Sequence, residues 1–145
     1  MKATYRVLAM LIAVGVLVQI AAIAYAWFDV LATVDDGGAY SDRGSDDNAG
    51  HALHAIMGMM VIPAMALALL VVSFFAKLPG AIKWAAIVFG VVALQVALAI
   101  FAYSLPAIGA LHGLNAVALA AVASRAGRLA DTASQPRTEH SHASV

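Results

Sequence analysis

Residues 7 to 28 read VLAMLIAVGVLVQIAAIAYAWF, a stretch without a single charged side chain. A transmembrane α-helix needs about 20 predominantly apolar residues to cross the hydrocarbon core of a bilayer. The stretch follows Lys2 and Arg6, as the apolar core of a secretory signal would. It is longer than such a core, however, and Trp27 and Phe28 stand where a cleavage site needs small residues. We therefore expect a transmembrane helix that the protein retains.

Three further stretches of the same kind follow, at about 53–76, 82–103 and 105–124, with a start one turn earlier as the alternative for the first of these three. None has Asp, Glu, Lys or Arg in its interior. Because a backbone in lipid must satisfy its own hydrogen bonds, each stretch is expected to be a helix. The sequence thus predicts the all-α class and an integral membrane four-helix bundle over residues 1–130. It also predicts a polar loop at 29–50 and a disordered tail at 131–145.

Composition leads to the same class. Hydrophobic residues make up 63% of the 145-residue chain and charged residues 11%, whereas soluble domains are about 45–50% apolar and about 25% charged. The chain has no cysteine, which excludes disulfides and thiolate metal sites. Its basic residues form no stripe, so nucleic acid is not an expected partner and the lipid bilayer is.

The charges are segregated along the chain and predict its orientation. Seven of the eight basic residues lie before the first stretch, between the second and third, or after the fourth. The loop at 29–50 carries six aspartates and only Arg43 in opposition. By the positive-inside rule, both termini are cytoplasmic and the acidic loop is outside. The predicted location is the inner (plasma) membrane, crossed several times. Asp46, Asp47 and Asn48 are alternative caps for the second helix.

Three histidines belong to the predicted bundle. His51 and His54 open the second helix, and His112 lies about two turns into the fourth. Both helices run from outside to inside, so His54 and His112 are expected at the same depth, facing each other in the outer half. Facing imidazoles of this kind suit the two axial positions of a haem iron. Two further histidines, His140 and His142, lie in the tail and are interpreted as solvated.

Other residues complete the predicted haem site. Gly58 follows His54 by four positions and Gly113 follows His112 directly, so both remove bulk beside the ligands. Asn115 shares the face of His112 and is expected either to orient its ring or to bind a helix backbone. His51, Arg43 and Gln95 are candidates for contact with the haem propionates.

Interpretations of the same residues that do not involve haem stay open. A histidine within a membrane helix can simply bond to a neighbouring helix, and three histidines can bind copper or zinc. Gln19 and Gln95 both lie near mid-membrane, and we expect them to bond to each other between helices. Pro63 is expected to kink the second helix below the histidines.

The string LPAIGALHGLNAVALA, residues 105–120, resembles the last helix of a four-helix half of the haem A synthase family. The preceding LQVALAIFAYSLP, residues 94–106, resembles that family's third helix and outer turn, with Gln95 where a glutamine is common. The likeness covers spans two to four and implies haem ligation by His54 and His112. The family has two such halves and a catalytic acid, whereas this chain has one half and no matching acid. The chain also resembles short four-helix membrane proteins of actinobacterial type.

The leading functional hypothesis is a b-type haem-binding membrane protein, acting in electron transfer or haem handling at the outer leaflet. The cofactor is then haem b, and a homodimer would mimic the two halves of the synthase. The alternative is a non-catalytic structural or assembly subunit of a respiratory or envelope complex. A small transporter is a weaker hypothesis, because the spans carry neither a charged pathway nor an inverted repeat.

Overall fold

A computed structural model of the chain describes residues 1–40 and 48–132, and all regular structure in these residues is helical. The helices are α1 (Lys2–Asp35), α2 (Ala49–Ile56), a π-helical turn (Met57–Val61), α3 (Ile62–Ser73), α4 (Ala81–Ala102) and α5 (Ala107–Thr132). The helix α2, the π turn and α3 follow one another without a break and form one long helix, Ala49–Ser73, called the second span below.

Four helices are long and apolar enough to cross a membrane: α1, the second span, α4 and α5. This confirms the predicted all-α, four-helix membrane architecture. α1 and α5 extend several residues beyond the predicted spans, because hydropathy marks only the lipid-facing part of a helix, whose hydrogen bonds continue into the polar interface. Thus α1 extends to Asp35 and α5 to Thr132, past the predicted domain boundary at residue 130. At 1.5 Å per residue, α1 is about 51 Å long.

Two helix ends beside turns also differ from prediction: the last residue of the second span and the first residue of α5. The second span begins at Ala49 and ends at Ser73, before the predicted end at residue 76. The chain then turns through Lys77, which has a positive φ of 52°, and Gly80, with φ 81°. α5 begins at Ala107, directly after Pro106, and not at residue 105. Residues 41–47 and 133–145, with Asp46, Asp47 and the predicted tail, lie outside the described residues.

The helices form a ring in chain order. α1 packs on α5, α5 on α4, α4 on α3, and the second span returns to α1. α1 and α4 are therefore diagonal partners, and so are the second span and α5. We call the end with the α1–α2 loop and the turn at 103–106 the loop end. The opposite end, where Lys2 and Thr132 lie, is called the termini end.

The buried core occupies the termini-end half of the bundle. It is built from Tyr5, Ile12 and Val16 of α1, with Leu69, Val88 and Leu119 among the residues that close it from the other helices. In the loop-end half, packing is looser. Between residues 49 and 61 only Gly50 is buried, and residues 93–102 of α4 and 107–118 of α5 contain no buried side chain. On α4 and α5 the interior-facing groups of that half are thus only half-buried, whereas Ala22 and Ala26 of α1 are buried there.

The predicted effect of Pro63 takes the form of a π turn. Proline has no N–H and its ring clashes with the carbonyl four residues earlier, so the regular α-helical bond cannot form at this point. In the structure the N–H of Ile62 bonds to the Met57 carbonyl, five residues back, and the π turn covers Met57–Val61. π turns of this kind are frequent at functional sites.

Candidate functional site

The two histidines at equal depth meet in the loop-end half. His54 stands five residues after Ala49, the first residue of α2, and His112 five residues after Ala107, the first residue of α5. Their ring centroids are 6.1 Å apart and the ring planes are inclined by 65°. Both residues are half-buried. The sequence-based prediction that helix direction brings these two side chains together is therefore matched by the geometry.

Each imidazole is held through one ring nitrogen by the main chain of a neighbouring helix. His54 Nδ1 lies 3.3 Å from the Gln19 carbonyl oxygen of α1, and His112 Nδ1 lies 3.1 Å from the Gln95 carbonyl oxygen of α4. A carbonyl oxygen only accepts, so each Nδ1 must carry the proton. The neutral tautomer that follows leaves a lone pair on each Nε2, the nitrogen needed to bind a metal.

Side chains of α4 and α5 form a small polar network around His112. The Gln95 amide nitrogen donates to the His112 carbonyl oxygen at 3.0 Å and lies 3.1 Å from His112 Nε2. Asn115 donates to the Gln95 side-chain oxygen at 2.6 Å and to the Val91 carbonyl oxygen at 3.1 Å. Of the two roles expected for Asn115, the structure shows the bond to a helix backbone. Its other bond goes to the Gln95 side chain and not to the His112 ring.

Gln19 does not bond to Gln95, and the prediction that the two would pair is wrong. They belong to α1 and α4, which are diagonal in the ring of helices. Gln19 is only 7% exposed, and its amide nitrogen is a buried donor without a hydrogen-bond partner in the described structure. Its main-chain carbonyl, in contrast, anchors His54. Gln19 is thus a site residue that the sequence-based reasoning assigned elsewhere.

The start of α2 is fastened to α1 by one buried asparagine. Asn48 is 1% exposed, and its side-chain oxygen accepts from the His51 N–H at 3.0 Å, which makes it the helix cap. Its amide donates to the Ala26 carbonyl at 3.1 Å and to Asp29 at 2.9 Å. Tyr40 donates to the same carboxylate. Of the three caps considered from the sequence, Asn48 is therefore the one used.

A glycine that the sequence-based reasoning passed over sets the distance between α1 and α2. A Cβ atom on Gly50 would stand 2.6 Å from the Ala22 carbonyl oxygen and 2.9 Å from the Ala26 side chain. No side chain fits there. Ala22 and Ala26 are four residues apart, a small-xxx-small pattern typical of close contact between membrane helices. That pattern was the available signal for this contact.

The other predicted site residues lie farther from the histidine pair. His51 is one turn closer to the loop end, and its ring meets Trp27 edge-on at a centroid distance of 5.8 Å. A Cβ on Gly58 would meet only the Gln19 side-chain oxygen, at 3.3 Å. Gly113 is exposed and a Cβ there would meet nothing within 4 Å. Arg43, His140 and His142 lie outside the described residues.

The arrangement suits some metal centres and not others. No three His, Cys, Asp or Glu side chains come together among residues 1–40 and 48–132, so the described part offers zinc or copper no site with three such ligands. Haem needs only two protein ligands, because the porphyrin supplies the rest. Two metal–nitrogen bonds of about 2 Å through one iron would place the ring centroids roughly 6 Å apart.

The hydrogen bonds of the two imidazoles also suit haem ligation, with one local conflict. Imidazoles that bind a metal commonly donate their second N–H to a carbonyl oxygen, and both Nδ1 atoms do so here. The half-buried loop-end interior is where the helices pack least. The conflict is the Gln95 amide, which stands at His112 Nε2 and must turn away before a metal binds. Comparisons of the chain with protein-family models, curated proteins and solved structures found no match.

Proposed function

We propose that the chain is a b-type haem-binding membrane protein that transfers electrons, with His54 and His112 as axial ligands. The observation that carries the proposal is the pair of half-buried imidazoles, 6.1 Å apart, each anchored through Nδ1 to a carbonyl of another helix. Both ligand lone pairs then belong to Nε2 atoms, and that of His112 is released when the Gln95 amide turns away.

Residues around the two histidines would orient the haem ligands and adjust their basicity. The carbonyls of Gln19 and Gln95 fix the ring orientation and raise the basicity of the histidine nitrogens. Asn115 positions the side chain of Gln95 by donating to its oxygen. Haem, when bound, supplies an iron that accepts and releases one electron. If both imidazoles hold the iron, the site would suit electron transfer and not the activation of oxygen.

Because the site lies near the loop end, we propose that the protein exchanges electrons with a redox partner, or handles haem, on that side. His51 and Gly58 belong to the same span as His54, and His51 is our candidate for contact with the propionates. Gly113 lies on the exposed face of α5, where it leaves room for a partner helix. A homodimer or a larger respiratory or envelope complex is consistent with this exposed glycine.

We further propose that both termini lie in the cytoplasm and that the loop end faces outward across the plasma membrane. The support is the charge distribution, with Lys77, Lys83, Arg125 and Arg128 at the termini end. Since the chain has no cysteine, single-cysteine variants report position directly. In intact cells an impermeant maleimide should label Ala39→Cys, and it should label Pro79→Cys only after permeabilisation. The reverse pattern would contradict the orientation.

The test of haem binding is a titration of haem into the purified protein in detergent, followed by its absorption spectrum. We expect one haem per chain and a low-spin spectrum for the wild type. His54→Ala and His112→Ala should each lose the low-spin spectrum and bind at least about tenfold more weakly. His142→Ala is the matched control, because it removes an imidazole that is not among the proposed site residues.

A different set of results would overturn the assignment. If His54→Ala and His112→Ala kept the wild-type spectrum, the ligands would lie elsewhere. If the wild type bound no haem, a structural or assembly subunit would be the better interpretation. That subunit should then copurify with a membrane complex whether or not the two histidines are changed.

A further inference from the structure

We propose that a groove between α1 and α5 at the termini end binds an anionic glycerophospholipid. The groove has a volume of about 570 Å³ and is lined at its polar end by Lys2, Arg6 and Asp131. Along α1 it continues over Val7, Met10 and Val14. This site is far from the histidine pair and does not depend on haem binding.

The polar end can receive a phosphate without breaking the contact already present. Arg6 Nε lies 3.0 Å from Asp131 Oδ1, and both side chains are about half exposed. A guanidinium has five N–H donors, so Arg6 keeps four for another acceptor. Lys2 is exposed and has no carboxylate partner within 4 Å among the described residues. It lies one helical turn from Arg6, on the same face of α1.

The apolar part of the groove has the direction and length of an acyl chain. Val7, Met10 and Val14 follow Arg6 at helical spacing and are all exposed. From Arg6 to Val14 the axis of α1 advances about 12 Å, which is close to the depth of one leaflet of the hydrocarbon core, half of about 30 Å. A phosphate at Arg6 thus brings its acyl chains to this strip.

The charge of the groove selects the class of headgroup. Two cations, Lys2 and Arg6, stand against one carboxylate, Asp131, so the polar end carries a net positive charge. A zwitterionic headgroup brings its own cation and gains little, whereas an anionic headgroup brings none. Each basic residue near an anionic membrane surface is worth about a fivefold change in affinity. The occupant is therefore an anionic phospholipid and not a phosphatidylcholine.

The test measures lipid binding to the purified full-length chain by native mass spectrometry. Phosphatidylglycerol and phosphatidylcholine are compared at equal concentration, and we expect phosphatidylglycerol to bind several-fold more tightly. Lys2→Ala and Arg6→Ala should each reduce that preference by about fivefold. Lys77→Ala is the matched control, because it removes one exposed cation at the same end outside the groove.

Asp131→Asn provides a test in the opposite direction. It removes the carboxylate that competes for Arg6, so phosphatidylglycerol should bind more tightly than to the wild type. Equal binding of both lipids would overturn the proposal. It would also fail if Lys77→Ala weakened binding as much as Lys2→Ala, since the effect would then be general surface charge. Tighter self-association in place of lipid binding would assign the groove to a second copy.

Discussion

At the scale of single residues, the positions of His54 and His112 depend on two features, of which the sequence reveals only one. Their common depth follows from helix direction, which can be deduced from the alternation of apolar and charged segments. Their anchors cannot be deduced in this way, because the acceptors are main-chain carbonyls of Gln19 and Gln95. Every residue has such a carbonyl, so side-chain identity gives no signal for it.

The two glutamines show where residue-level prediction stops. Pairing Gln19 with Gln95 requires that their helices be neighbours, and hydropathy does not specify the order of helices around a bundle. In the structure α1 and α4 are diagonal. Gln95 finds partners on α5, whereas the Gln19 amide nitrogen finds none.

The glutamines should therefore respond in opposite ways to the same substitution. Gln19→Leu removes a buried donor without a partner and should raise the free energy of unfolding by about 1 kcal/mol. Gln95→Leu removes hydrogen bonds to His112 and Asn115 and should lower it by about 1–2 kcal/mol. Thermal unfolding of the haem-free protein in one detergent measures both. Equal losses would show that the Gln19 amide has a partner after all.

At the scale of elements, the π turn sets the direction in which His54 points. In an uninterrupted α-helix, each residue turns by about 100°, so His54 would lie about 80° away from Ile62 around the helix. Ile62 belongs to the buried core. The π turn acts as one extra residue and turns the preceding segment back by about 100°. His54 and Ile62 then share the interior face within about 20°.

Two variants of the π turn test this role. Because the turn acts as one extra residue, deletion of Met60, which is 68% exposed, should let the segment return to α-helical geometry with His54 and Ile62 still on one face within about 20°. Haem affinity should then stay close to that of the wild type. Pro63→Ala keeps every residue but removes the ring that blocks the α-helical bond, so a return to α-helical geometry should turn His54 about 80° away from Ile62 and lower haem affinity by at least about tenfold. Circular dichroism should show unchanged helix content in both variants. Wild-type affinity of Pro63→Ala, or a tenfold loss in the deletion variant, would count against the role of the turn.

The contact between α1 and α2 could be predicted from the sequence only in part. Asn48 could be proposed as a cap from its place before an apolar run, but its bonds to Ala26 and Asp29 join two helices. Gly50 allows that approach because no Cβ fits against Ala22. Both contacts depend on which faces of the helices meet, and the apolar residues all around α1 give no preferred face.

At the scale of the whole molecule, sequence and structure agree best on what the bilayer imposes. Number, type and alternating direction of the spans follow from length and apolarity, since a backbone in lipid must be helical. The uneven packing of the bundle could not be foreseen. The termini-end half is closed by buried residues such as Leu69 and Leu119. The loop-end half is left half-buried around the histidines, because small and polar side chains face inward there.

This asymmetry connects the fold to the proposed function. A bundle packed equally throughout would leave no room for a planar group between diagonal helices. Here the tight half fixes the relative positions of the second span and α5, through their shared neighbours α1 and α4. The loose half then presents His54 and His112 at a defined separation. The loose half is thus the half in which the proposed cofactor would bind.

The reduced-minus-oxidised absorption spectrum of the purified, haem-supplied protein tests the central claim most directly. It should be recorded beside the double variant His54→Ala, His112→Ala, prepared in the same way. The account predicts the sharp α-band of a six-coordinate b-type haem in the wild type and its absence in the double variant. A wild type without an α-band, or a double variant that keeps it, would contradict the account.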